Sequence, residues 1–201
     1  MNRLVCIVEG EGEVAAIPNL CVRIMANLGV QDWVVDPDPI RRKRSALVDA
    51  RQPKPRRPCR EDEVLKAMTL ALRRPRPANA VLLLCDEDED CAATWGPDAT
   101  RVMNRLGAGA AVMAVPEYES WLLLNRSDAE LKAAGVALPL VGRGAKSTMR
   151  KIVPDYSPTV HQLAETRRIN IAFLRGRSAS FDKLVRCIDA LCGPIPATPS
   201  K

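Results

Sequence analysis

Residues 80–91 read AVLLLCDEDEDC. The run from Ala80 to Cys85 carries no polar residue and then breaks into five consecutive carboxylates, Asp86 to Asp90. A short apolar run rich in aliphatic residues and ended this sharply is the pattern of a strand buried on both faces, and so of a central strand in a parallel sheet. The acids then lie at its carboxyl end. Two carboxylates ~4 Å apart repel by about 4 kcal/mol at an effective dielectric of 20, so something positive has to sit beside them.

Working outward, Leu4 to Val8 is a second such run, bounded by Gly10 and Gly12. Between Glu13 and Leu28 the residues Ile17, Leu20, Cys21, Ile24, Met25 and Leu28 fall at helical spacing, and Gly29 suits the C-terminal cap. Pro18 must sit in or near the first turn of that helix or kink it. Trp33 to Asp36 reads as a short strand. Glu61 to Arg73 reads as a helix with Val64, Leu65, Met68 and Leu72 on one face, and Pro97 to Leu106 as a helix with proline at its first position. Ala110 to Val115 supplies a fourth strand. Strands alternating with helices at this spacing predict an α/β fold with a small, mainly parallel four-stranded sheet and right-handed crossovers. After Pro116 the pattern turns helical, with a buried helix over Glu117–Leu124. A final helix carries Phe181, Leu184, Ile188 and Leu191 behind Ser178 and Ser180.

The chain of 201 residues suits one well-buried core with an appendage. We expect an α/β core over 1–125, a helical C-terminal extension packed on it over 126–193, and a disordered tail over 194–201 containing Pro194, Pro196 and Pro199. An aromatic share of 3% points to an aliphatic core. No run approaches the roughly 20 apolar residues of a membrane span, and Met1–Arg3 leads straight into a strand rather than a signal peptide, so a cytoplasmic location is expected. Seven cysteines without a two-residue pair spacing, and His161 as the one histidine, exclude the usual zinc sites; the thiols read as small buried hydrophobes. The net charge is +6, concentrated in Arg41–Arg60, where nine Lys or Arg stand against Asp49 among Pro53, Pro55 and Pro58. That segment reads as a solvated, mobile loop. Arg41, Arg42, Lys43, Arg44, Lys54, Arg56 and Arg57 are its candidates for contacting the phosphates of nucleic acid.

In parallel sheets, sites form outside the carboxyl ends of the strands. There the sequence places Glu9, Glu11 and Glu13 after the first strand, Asp86 to Asp90 after the third, and Glu117 and Glu119 after the fourth. A divalent cation removes the repulsion, and oxygen ligands without histidine or thiolate suit magnesium or manganese. Glu9, followed by flexible Gly10, leads the candidate ligands, with Glu13, Asp86, Asp88, Asp90 and Glu117. Asp86, Asp88 and Asp90 are alternate residues that can share a side. Glu11 and Glu13 also suit a helix start, and Glu117 and Glu119 could cap their helix. Two other motifs stand against the chemistry, the first as a trailing alternative and the second as one that fails. Gly10, Gly12 and Ala15 match a dinucleotide fingerprint, with Asp36 ending the next strand, but three glutamates would repel a pyrophosphate. Asp86, Asp88 and Asp90 match the first ligands of a calcium loop, but Cys91 stands where glycine is needed and Pro97 where the bidentate glutamate belongs.

The stretches VEGEGE, opening a helix, and DEDED, closing a strand, together with the acidic helix after them, resemble the Toprim fold of topoisomerases, bacterial primases and the overcoming-lysogenization-defect nucleases. VEGEGEVAAIP, PEYESWLL, GAKSTMRKIVP, YSPTVHQLAE and RSASFDKLVRCIDAL more closely resemble the bacterial, Toprim-like domain-of-unknown-function 4276 family, over nearly the whole chain except residues 41–60. The resemblance implies a Toprim-like Rossmannoid core in which Glu9 acts as metal ligand or general acid/base and Asp86 with Asp88 holds Mg²⁺ (or Mn²⁺). Glu117 and Glu119 match the family's acidic helix start, and Lys146 with Ser147 a Lys-Ser element; Lys146 could neutralise developing charge. The catalytic set implied is Glu9, Asp86, Asp88 and Lys146. The chemistry implied is phosphodiester hydrolysis of nucleic acid, DNA ahead of RNA, in an antiphage role beside an ABC-type ATPase, with further copies of the chain as another partner. A topoisomerase needs a nucleophilic tyrosine on a large clamp, and this chain has only Tyr118 and Tyr156; a primase needs a zinc module. The alternative expectation is a non-catalytic metal- or nucleotide-binding regulatory module.

Overall fold

A computed structural model describes residues 1–137 and 144–193, so the tail expected over 194–201 lies outside the described residues. In chain order the elements are β1 (Asn2–Val8), α1 (Glu13–Asn27), β2 (Trp33–Val35), β3 (Ile40–Arg41), α2 (Arg44–Leu47), α3 (Glu61–Leu72), β4 (Ala80–Asp86), α4 (Ala92–Met103) and β5 (Gly109–Ala114). The helices α5 (Tyr118–Leu124), α6 (Asp128–Ala133), α7 (Ala145–Ile152), α8 (Pro158–Arg167), α9 (Ile171–Arg175) and α10 (Ala179–Cys192) follow. Every strand pairing is parallel, in the order β2-β1-β4-β5, with β3 pairing farther along β1 on the β2 side.

The two apolar runs of the sequence are the two middle strands, and their pleat divides the core. Leu4, Cys6 and Val8 with Ala80, Leu82 and Leu84 face a layer built from α1, α5 and α10. Val5 and Ile7 with Val81, Leu83 and Cys85 face α3 and α4. Residues from 126 onward join the first layer: Leu131, Met149, Tyr156, Leu174, Phe181, Leu184 and Ile188 share one cluster with the strands. Ser178 caps α10 by accepting from the Phe181 N–H at 3.2 Å, as its position before an apolar stripe predicts.

Four expectations need correction. The sheet has five strands rather than four, because the chain after Asp36 returns to the same edge of β1 for two residues. Asp36 is pinned there by Arg3 at 3.2 Å and Arg74 at 3.1 Å. A two-residue strand carries no periodicity to read. Pro97 lies inside α4 rather than at its first position, since the helix begins at Ala92. The WGP triplet tolerates the helix because it packs: Trp95 is fully buried and donates Nε1–H to the Leu47 carbonyl at 3.2 Å, and a Cβ on Gly96 would meet the Ala111 carbonyl at 3.2 Å. The core is not purely aliphatic, for Trp95, Trp121, Tyr118, Tyr156 and Phe181 are among its largest fully buried side chains. Tyr118, Trp121 and Phe181 stack in series at 5.3 Å centroid spacing. Finally, residues 41–60 are not a solvated loop throughout: 50–56 are exposed, but the segments on either side are structured. They fold back as β3, α2 and a bridge between Val48 and Cys59, burying Leu47, Val48 and Cys59 against the α3–α4 layer.

Candidate functional site

The carboxyl ends of β1 and β4 and the start of α5 do bring acids together, in two halves with different partners. The chain leaves β4 at Asp86 and turns at Asp88, which adopts φ 50°, a left-handed conformation that aspartate tolerates better than most residues. The Pro116 carbonyl fixes the turn by accepting from the Glu87 and Asp88 N–H groups, each at 3.1 Å. The turn ends strand alternation, so Asp86 and Asp88 no longer share a side.

In one half the acids meet arginine. Arg44, at the start of α2, pairs with Glu9 at 3.4 Å, with Asp88 at 3.0 Å and with Asp90. It also donates to the main-chain carbonyls of Asp86 and Glu87, the latter at 2.7 Å. The Asp88 contact comes from Nε and lies off the hydrogen-bond axis, which leaves that N–H without an aligned acceptor. Arg57 grips Asp90 with two bonds at 2.7 and 2.8 Å. The Asp90 side chain is wholly enclosed, and although its burial opposes ionisation, the bonds from Arg57 and Arg44 hold its carboxyl below the usual range. Nearby, Arg41 pairs with Glu11 and Lys54 with Glu89.

In the other half the acids line a cavity of about 370 Å³ walled by Gly10, Gly12, Glu13, Asp86, Glu117, Glu119, Lys146 and the first turn of α8. Among the described residues, none of Glu13, Asp86 and Glu119 has an ion-pair partner. Glu13 accepts from the Glu9 and Gly10 N–H groups, each at 3.1 Å, Asp86 from the Tyr118 N–H at 2.8 Å, and Glu119 from the Tyr156 hydroxyl at 3.3 Å. Burial pushes the Glu13 carboxyl up to about 7, with the charges of Glu9 and Glu119 adding to the rise against those two bonds. Asp86 is raised well above its ordinary range by burial, then by Glu13, Glu119 and Glu9. Glu119 and Glu9 are also raised, chiefly by burial; Arg44 partly offsets the rise at Glu9.

Gly12 lets α8 close this cavity. A Cβ there would stand 2.0 Å from Gln162 Oε1 and 2.7 Å from Pro158 Cβ. Gly12, part of the motif that imitates a dinucleotide fingerprint, thus serves helix packing.

No family model, curated protein or solved structure matches the chain.

Of the residues expected from the sequence, Glu13 and Asp86 face the cavity, while Glu9, Asp88 and Asp90 are committed to Arg44. Glu117 lines the cavity but spends Oε1 on the N–H groups of Gly144, Ala145 and Lys146, capping α7 rather than its own helix. Lys146 is exposed at the cavity rim, where its charge favours ionisation of Glu119. Among the nucleic-acid candidates, Arg44 and Arg57 turn inward and Arg41 and Lys54 are paired. Arg42 is half-buried, and Lys43 and Arg56 stay exposed without ion pairs among the described residues. Sequence reasoning passed over Glu119 as a ligand, together with Tyr156 and Gln162 around it. The i,i+2 pair in EYES was visible, but which member turns inward depends on how α5 docks.

The donor chemistry of the cavity suits a hard divalent ion, being oxygen-only and short of positive charge. Among the described residues, however, no group of three or more His, Cys, Asp or Glu side chains is arranged to hold a metal ion.

Proposed function

We propose that this chain is a Mg²⁺- or Mn²⁺-dependent phosphodiesterase acting on nucleic acid, with a Toprim-like core. The observation that carries the reading is the convergence of Glu13, Asp86 and Glu119 on one cavity at the carboxyl ends of parallel strands, desolvated and, among the described residues, without an ion-pair partner. A fold keeps such mutually repelling groups at a cost, and a divalent ion offsets it. Glu13, Asp86 and Glu119 would hold the ion, which when bound supplies Lewis-acid charge to a phosphate oxygen and lowers the pKa of a water. Around it, Lys146 offers an ammonium to a phosphate oxygen at the mouth, and Gly12 lets α8 close the far wall. Lys43 and Arg56 are the exposed cations left to meet a polyanion.

The test is cleavage of plasmid and single-stranded DNA, and of RNA, with Mg²⁺ or Mn²⁺ against a chelator control. Asp86→Asn and Glu13→Gln should each lose activity while keeping the wild-type circular dichroism spectrum. Cleavage that persists in both variants would sink the assignment of the centre.

One observation favours a second reading, a non-catalytic metal-binding regulatory module: Arg41, Arg44, Lys54 and Arg57 are occupied by acids of the same chain, which leaves little surface for gripping nucleic acid. A binding-competent wild type that cleaves nothing, even with an ABC-type ATPase from its own system supplied, supports that reading instead.

A further inference from the structure

The sheet ends at β5, and the helices on its two faces do not close over the outer edge of that strand. Between α4 and α10 they leave a cavity of about 580 Å³ along Gly109–Ala111, at the opening of the strand. It shares no residue with the acidic cavity at the carboxyl ends. The floor is hollow because every residue from Ala108 to Ala111 is alanine or glycine. The volume falls within the usual range of small-molecule sites.

An uncovered strand edge ordinarily invites another strand. This one is already answered by side chains. Thr100 Oγ1 accepts from the Ala111 N–H at 2.9 Å and Asn104 Oδ1 from the Gly109 N–H at 3.0 Å, so the donors that an added strand would use are taken. Thr100 keeps its hydroxyl hydrogen, and Asn104 its amide N–H groups, to donate to something else.

The α10 wall is cationic. Lys183 reaches across to α4, for a Cβ on Gly96 would stand 2.7 Å from its ammonium. Glycine inside a helix is unfavourable relative to alanine, and here the missing methyl is the space that the ammonium uses. Lys183 makes no ion pair among the described residues. Arg186 spends Nε on Asp182 at 2.9 Å and keeps its terminal N–H groups. No carboxylate lines this cavity among the described residues, and Pro97, the alanine floor, Ala190 and Leu191 are apolar. A ligand that fits must therefore accept hydrogen bonds, carry negative charge at one end and be apolar at the other. Lys183 and Leu191 lie about 12 Å apart along α10, which separates the two ends.

We propose that the cavity at the β5 edge binds a small amphipathic organic anion, its acidic head on Lys183 and Arg186 and its apolar body over the alanine floor towards Leu191. No residue of the acidic centre takes part, so this site stands whether or not the chain hydrolyses phosphodiesters.

The probe is anilinonaphthalene sulfonate, followed by fluorescence on the full chain, with uncharged phenylnaphthylamine as its control. Wild type should bind the sulfonate saturably, at one molecule per chain. Lys183→Met should weaken that binding by roughly tenfold or more, the weight of a hydrogen bond to a charged group, and leave the neutral probe unaffected. Ala190→Trp, at an exposed helix position that lines the hollow, should weaken both probes without changing the circular dichroism spectrum. Bound sulfonate should also slow alkylation of Cys187, which lines the cavity, and not that of Cys91, which does not; peptide mass spectrometry reads both. Binding that does not saturate, equal effects of Lys183→Met on the two probes, or Cys187 reactivity indifferent to the sulfonate overturns the site. Should Lys183→Met fail to fold, Arg186→Gln at an exposed position carries the same contrast between charged and neutral probe.

Discussion

Asp88 and Asp90 carry the same charge two positions apart and share Arg44 as a partner, yet their energetic roles differ. Asp90 has no side-chain exposure and two guanidinium partners, whereas Asp88 is 47% exposed. Removing one partner from a buried charge pair leaves the others stranded, at a cost of about 3–5 kcal/mol, while exposed pairs are worth ~0–1 kcal/mol. Asp90→Ala should therefore lower the free energy of unfolding several-fold more than Asp88→Ala in urea titrations; equal effects would mean that the Arg44–Arg57 clasp is not structural. Glu13 gives a prediction in pH. Its folded pKa of about 7 lies above the unfolded value near 4.5, so the folded state binds the proton more tightly. Its contribution is thus most favourable below pH 4.5, falls as pH rises through that window, and is flat above about 7. In chelator, the melting temperature should drop between pH 5 and 8, Glu13→Gln should flatten that drop, and Mg²⁺ should restore stability at pH 8 more than at pH 5. A melting curve indifferent to both changes removes Glu13 from the centre. This residue-level picture was only partly legible: the carboxylates were visible as a cluster, but which of them would be desolvated and which neutralised was not.

At the scale of elements, the cavity exists because α8 closes against the start of α1, and Gly12 is the contact that permits it. Its backbone is ordinary, at φ −65°, so the constraint is steric rather than conformational. Gly12→Ala must push Pro158 or Gln162 away and should cost about 1–3 kcal/mol, the usual range for overpacking. Chemical denaturation would show this, and a cost near zero would mean that α8 can retreat freely. The long elements were readable from sequence because burial imposes a period on them: β1, β4, β5, α1, α3 and α10 carry it plainly. β3 was not, and α4 was misplaced at Pro97. In both cases tertiary contact decides, through pairing with Ile7 and Val8 for the short strand and through burial of Trp95 for the helix.

For the molecule as a whole, the nine Lys and Arg of residues 41–60 overstate what that segment offers a partner. Were all seven candidate cations of residues 41–60 engaged with phosphates, affinity for duplex DNA would fall by roughly a thousandfold or more between 50 and 200 mM salt. With only two or three free, the fall should be ~10- to 40-fold, and Lys43→Glu with Arg56→Glu should account for most of it. A steep slope in fluorescence anisotropy would mean that the segment lifts off its acids to bind. The sequence by itself determined the α/β class, the parallel order implied by two doubly buried strands, and the arrival of acids at their carboxyl ends, since all three follow from local apolar runs and where they stop. Only the tertiary structure decided which charges meet. Arg44 lies 42 residues from Asp86, and nothing local to either residue specifies that one will close around the other.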